Sequence, residues 1–349
     1  MYVPVMKNRT VEVSVLQQLS LLHVFDGNVV PLVELIQERT RSNNKNTFIQ
    51  DLSKILDEAP DMRIMVDFYK STKLRNTTDA IREYITLSVR QPDFCLSGMS
   101  ALQQYSNRVI PVVSYLSESI SIDRILYESN ALKKMFSSVA YRITVQEFDS
   151  VFSCVEKLIS SNDYLILDIE NASHMSPVFK KIYKRIADSK KQIKYSTIVI
   201  NSHRPDSLAN KDMLDGEPIA DIDNSLKELY SSAYMYRFDG FGDYACISAS
   251  LPSTGGAISP VGIYYSLENN YFVSYRGRAP QLSEFPQYIA PRIVDSEYWK
   301  EFSDEHHDKC PGCQEIWAII NGIKSGRNQA QWKMITMLHY IYTIYEENL

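Results

Sequence analysis

Short runs of branched and aromatic residues recur along the first 245 positions, separated by longer stretches in which apolar residues fall three and four apart. The runs Tyr2–Met6, Val29–Ile36, Arg63–Phe68, Val109–Tyr115, Val139–Ile143, Tyr164–Ile169, Ser196–Asn201 and Met235–Asp239 read as buried strands. Between them, Val11–Leu22, Phe48–Leu56, Thr78–Leu87 and Val151–Ser160 read as helices, with Thr77 or Thr78 as the cap ahead of Asp79. Eight strands alternating with helices predict an α/β chain whose residues 1–245 form a (β/α)8 TIM-barrel-like domain. An open doubly wound sheet of six or seven strands is the alternative, because right-handed crossovers allow both.

The rhythm changes after Asp243. Ala245–Ser250, Gly262–Tyr265 and Tyr271–Tyr275 read as β segments, the last two forming a hairpin that turns at Leu267–Asn270. Helical stretches follow at Gln281–Ile289, Ser296–Phe302 and Gln329–Tyr345. Residues 246–349 are therefore expected to be a β-hairpin plus helical extension packed on the barrel. The last helix carries Trp332, Ile335, Leu338, His339, Tyr342 and Tyr345 at helical spacing, a stripe that suits core packing or a partner surface.

Composition narrows the function classes. Lys+Arg 37 against Asp+Glu 42 gives a net charge of −5, the opposite of the basic excess expected of a nucleic-acid binder. With 12 glycines the chain has no G-x-G-x-x-G or Walker pattern. Apolar runs fall far short of the ~18 residues that a membrane span needs. The opening MYVPVMKNRT shows no cleavable signal pattern, and five cysteines, an odd and sparse set, suit a reducing compartment better than a disulfide framework. A cytoplasmic protein without a membrane partner is expected, with self-association left open.

A barrel gathers its chemistry at the C-terminal ends of its strands. Those ends read Lys7, Glu34, Asp67, Ser114, Arg142, Asp168 with Glu170, Asn201 with His203, and Asp239 with Asp243. Glu34 and Asp67 sit in otherwise apolar strands, so each needs a buried partner, and Lys7 or Arg142 would serve. As a functional set, Glu34, Asp67, Asp168 and His203 are the catalytic candidates, the carboxylates as acids, bases or cation ligands and His203 for proton transfer. Lys7, Arg142, Asp239, Asp243, Arg276 and Arg278 are the ligand-binding candidates. The plainer reading is that these charges neutralise one another.

Two further clusters stand out. His306-His307-x-x-Cys310-Pro-Gly-Cys313 places four possible Zn²⁺ ligands within eight residues, although no second C-x-x-C exists to complete a knuckle. Redox work, or an exposed loop turning through Pro311 and Gly312, are the other readings. Tyr275-Arg276-Gly277-Arg278 closes the hairpin; its guanidinium groups suit a phosphate or carboxylate clamp, or an anchor on acidic loops such as Asp239–Asp243.

Tyr2-Val3-Pro4-Val5-Met6-Lys7, Val30-Pro31-Leu32-Val33-Glu34, Phe241-Gly242-Asp243-Tyr244, Tyr271–Arg278, and Gly326-Arg327-Asn328 followed by Trp332 and His339 together resemble the phage- and prophage-associated Beta protein family. Where that family tends to end in paired histidines, this chain reads Leu338-His339-Tyr340. The resemblance implies an antiphage-defence component that restrains or senses a toxic partner protein from the same operon, and it carries no catalytic residues. The competing expectation is a hydrolase acting on a phosphorylated or nucleotide-like ligand at the barrel mouth.

Overall fold

In a parallel strand, alternate side chains face opposite ways, so a strand that is apolar throughout must be covered on both faces. That demand is met by closure. The structure, a computed structural model, describes residues 1–38, 46–74, 77–116, 121–202, 204–205, 208–219, 238–251 and 258–348. Strands β1 (Tyr2–Lys7), β2 (Leu32–Leu35), β3 (Ile64–Phe68), β4 (Val109–Ser114), β5 (Ala140–Thr144), β6 (Tyr164–Asp168) and β7 (Ser196–Asn201) pair in parallel in chain order. Past the two-residue strand β8 (Glu217–Pro218), β9 (Gly240–Asp243) pairs with both β7 and β1 and closes an eight-stranded parallel barrel. The open sheet is thereby ruled out.

The last barrel strand is not where the apolar pattern put it. Met235–Arg237 lie outside the described residues, and Asp239 precedes the strand instead of ending it. The true strand, Gly-Phe-Gly-Asp, is poor in branched residues because close approach forbids a side chain at its glycines. A Cβ on Gly242 would lie 2.5 Å from the Val3 carbonyl oxygen across the closing seam.

Val3, Val5, Leu32, Met65, Ile166 and Ile200 fill the barrel interior, and the alternate residues pack outward against the helices. The first three of these helices are Thr10–Leu21, Phe48–Glu58 and Asp79–Arg90. Thr47 caps the second through a reciprocal capping box with Gln50, and Thr78 caps the third by accepting from the Ile81 amide.

After the barrel, Ala245–Ser250 forms turns and bends, not the expected strand. Ala245 and Cys246 hold φ of 46° and 61°, a left-handed backbone that cannot continue a ladder. The hairpin is present as β10 (Val261–Ser266) antiparallel to β11 (Tyr271–Arg276), and β8 joins the outer edge of β11. Gln281–Ile289 was expected to be helical along its length; the regular part is a wide π-type turn at Phe285–Ile289 running into Ala290–Val294. The C-terminal helix, Gln329–Glu346, lies on the outer face of β9 and β1 beside Thr10–Leu21. Lys333 reaches Glu12 there at 2.8 Å, and Tyr340 packs edge-on against Tyr2. No helix among the described residues is long and apolar enough to cross a membrane.

Candidate functional site: the barrel mouth and its surroundings

Strand alternation aims Lys7, Glu34, Asp67, Ser114, Arg142 and Asp168 inward at the C-terminal end of the barrel, and Tyr244 joins them one residue past β9. All seven are buried. Arg142 is the hub. Its Nη1 donates to Glu34 Oε1 at 2.8 Å and to Asp67 Oδ2 at 3.1 Å. Its Nε and Nη2 both donate to Asp168 Oδ2, at 3.0 and 2.6 Å. Nη2 also donates to the Tyr244 hydroxyl at 2.8 Å, which in turn donates to Glu34 Oε1 at 3.1 Å. Ser114 donates to Asp67, and Lys7 sits 3.5 Å from Glu34 Oε2.

Within the ring three carboxylates are in direct contact with two cations, Lys7 and Arg142, so a fully ionised ring carries one excess negative charge, with Lys70 as the further cation near Asp67. Burial pushes the Asp67 carboxyl above its ordinary range, with Glu34 reinforcing the effect while Arg142, Lys70 and Ser114 oppose it. Burial works against the Arg142 charge, but Tyr244, Asp168, Glu34 and Asp67 outweigh it, and the guanidinium stays protonated. Burial likewise keeps the Tyr244 phenol protonated, as its donation to Glu34 requires. The carboxylates converge as a cation site demands, and the cation at their centre is Arg142.

Other expected site residues lie elsewhere. Asp239, at the opposite end of β9 from the mouth, accepts from the Lys190 ammonium and the Thr197 amide. Asp243 is on β9 but on its outer face, where Oδ1 and Oδ2 accept from Tyr2 and Tyr340. The hairpin arginines do not reach these acids as anchors: Arg278 pairs with Glu284 at 3.1 Å, and Arg276 donates to the Met213 carbonyl at 3.3 Å. His203 lies outside the described residues. Tyr244 was overlooked because, with the eighth strand placed too early, the alternation that turns 240, 242 and 244 inward could not be read.

Beside the mouth is a cavity of about 650 Å³ between the barrel and the C-terminal helix. The leading turns of three helices border it through Thr10, Thr78 and Gln329, and its wall also includes Arg9, Arg204 and Trp332 together with the Glu12–Lys333 ion pair. Helix N-termini present unpaired amides and a positive dipole end, so the lining suits an anionic group beside an apolar one. Ser248 links cavity and mouth, since it also lines the cavity and its carbonyl accepts from Lys7 at 3.4 Å.

The Cys-Pro-Gly-Cys segment is neither an exposed loop nor a tight turn. Pro311 opens the helix Pro311–Ile320, and both cysteines are buried. The Asp304–Lys309 helix precedes it, and helical spacing sets His306 on the face of Cys310, four residues on. His307 turns aside and stacks on Trp299 at 4.1 Å. The fourth member of the cluster is His339, from the C-terminal helix. One ligand atom from each of His306, Cys310, Cys313 and His339 falls within 4.8 Å of the others.

No curated protein matches the chain. A fungal β-1,4-galactanase structure aligns at 10% identity and a TM-score of 0.38, over 64% of this chain and 79% of its own. An F420-dependent secondary alcohol dehydrogenase, solved with an F420–acetone adduct, aligns at 9% identity and a TM-score of 0.37, over 72% and 94%. The family model described as Beta protein matches residues 2–346, nearly the whole length, and the chain belongs to the Beta protein family.

Proposed function

We propose that this barrel is a scaffold, the restraining or regulating half of a phage- or prophage-encoded defence pair in the cytoplasm, and that it acts by binding a toxin-like protein from the same operon. The observation that carries this reading is the self-paired mouth. Arg142 binds three carboxylates and Tyr244, and Lys7 sits against Glu34, so the ring is built as a structural plug. A catalytic mouth offers poised groups to a substrate, whereas here they are directed at one another. Family membership supports the same reading.

The test is co-expression with the neighbouring gene product, comparing wild type with Asp67→Ala and Asp168→Ala. Both variants are expected to protect the host as wild type does, provided they melt cooperatively. Folded variants that lose protection would overturn the scaffold.

A second reading, a hydrolase of phosphorylated or nucleotide-like ligands, is favoured by the cavity with its three helix N-termini and Arg9 and Arg204. It requires that a nucleotide raise the melting temperature of wild type and that Arg204→Ala abolish the rise. No shift at millimolar nucleotide would remove it.

A further inference from the structure

We infer that His306, Cys310, Cys313 and His339 form a structural zinc site that ties the C-terminal helix to the segment before it. The proposal is independent of what the barrel mouth does. Zinc bound tetrahedrally, with sulfur at about 2.3 Å and nitrogen at about 2.0–2.1 Å, separates a sulfur ligand from a nitrogen ligand by about 3.6 Å. Cys310 Sγ and Cys313 Sγ each lie 3.6 Å from His339 Nδ1.

A thiol–imidazole hydrogen bond has a similar length, so the protonation pattern decides between the two. His339 Nε2 faces the Tyr265 carbonyl oxygen at 3.2 Å and must carry the proton there. Nδ1 therefore holds one lone pair, yet it is equidistant from two sulfurs. One lone pair accepts from one thiol; a cation between the three atoms satisfies all of them. His306 repeats the arrangement from the other side. Its Nδ1 pairs with the Glu346 carboxylate, while Nε2 is sealed from solvent and the ring interacts with the Cys310 thiol. An imidazole that binds metal through one nitrogen and is oriented by a carboxylate or a carbonyl through the other is the usual outer arrangement of a zinc ligand.

The surroundings suit the ion. All four residues are buried, so two thiolates against one divalent cation leave no net charge in an apolar setting. The Tyr264 ring stacks on His339 at 4.0 Å, and its hydroxyl lies 3.7 Å from Cys313 Sγ, within reach of a thiolate. Gly312 lets the two helices meet: a Cβ there would lie 2.6 Å from the His339 amide nitrogen. Four protein ligands close the coordination sphere, which marks the site as structural and not catalytic.

The full chain, expressed in zinc-supplemented medium and desalted, is expected to carry about one zinc per molecule by mass-spectrometric metal analysis. Cys313→Ser and His339→Gln are expected to fall below a tenth of that content, and His307→Ala to keep it. Because a ligand variant can unfold, a second measurement uses wild type alone. Chelated protein titrated with Co²⁺ is expected to develop intense tetrahedral visible bands with thiolate charge transfer, saturating at one equivalent. Wild type holding less than about a tenth of a zinc, and giving no such bands, would overturn the site. So would undiminished zinc in folded His339→Gln, or its loss from folded His307→Ala.

Discussion

The Tyr340 hydroxyl donates to Asp243 Oδ2 at 2.6 Å, holding the middle of the C-terminal helix to the outer face of the barrel's last strand. Tyr2 holds the other oxygen at 2.9 Å, so one buried carboxylate joins the first strand, the last strand and the last helix. Removing a hydrogen bond to a buried charge costs about 1.5–3 kcal/mol. Tyr340→Phe is expected to lose that much in denaturant unfolding with little change in m-value. A loss below about 0.5 kcal/mol would show that the helix is seated by its apolar contacts instead.

Arg142 is expected to be the least replaceable residue of the mouth. Arg142→Met leaves Glu34, Asp67 and Asp168 without their shared hydrogen-bonded cation, with Lys7 beside Glu34 and Lys70 near Asp67, and stranding buried charge in this way costs about 3–5 kcal/mol. Asp67→Asn moves the other way, bringing the ring toward neutrality while keeping an acceptor for Arg142 and Ser114. Its stability is expected within about 1.5 kcal/mol of wild type at neutral pH. Equal losses in the two variants would contradict the charge count.

The same residue predicts a pH dependence. Burial raises the folded Asp67 pKa above the ordinary 3.8, so the folded state holds this proton more tightly than the unfolded chain does. Stability from this group is therefore present at low pH and declines as pH rises from about 3.8 through the raised folded value. Unfolding curves measured across that range are expected to show the decline in wild type but not in Asp67→Asn. A difference between the two proteins that stays constant with pH would rule it out.

Closure of the barrel should depend on Gly242. The added methyl of Gly242→Ala would meet the Val3 carbonyl at 2.5 Å and the Ile200 side chain at 3.1 Å, both inside the packed seam. Overpacking of this kind costs about 1–3 kcal/mol. Differential scanning calorimetry is expected to show a lowered melting temperature, and an unchanged one would mean that the β9–β1 seam can yield.

Seven of the eight barrel strands were legible from local pattern, because buried parallel strands write themselves as short apolar runs. The inward carboxylates Glu34 and Asp67, and the cations Lys7 and Arg142 needed to pair them, were legible for a related reason: a charge inside an apolar strand demands a partner. Arg142 as the common centre of the acids was not legible, since it depends on ring closure bringing four strands to one point. The eighth strand escaped because its glycines answer to a neighbour across the seam, Val3, which is far away in sequence. Misplacing it by a few residues put Asp239 at the wrong end of the barrel, turned Asp243 the wrong way and hid Tyr244.

The Cys310–Cys313 pair and His306 were visible as a local spacing, since one helix turn relates His306 to Cys310. His307 was indistinguishable from His306 until helix phase turned it onto Trp299. His339, 29 residues beyond Cys310, was a stripe residue on an apolar helix until packing brought its ring against both thiols. Local periodicity therefore determined seven of the eight barrel strands, the hairpin, several of the helices and which charges must be buried. Which of those side chains meet was decided by barrel closure and helix docking, because contacts between distant parts of a chain are set by its three-dimensional path and leave no periodic trace in its sequence.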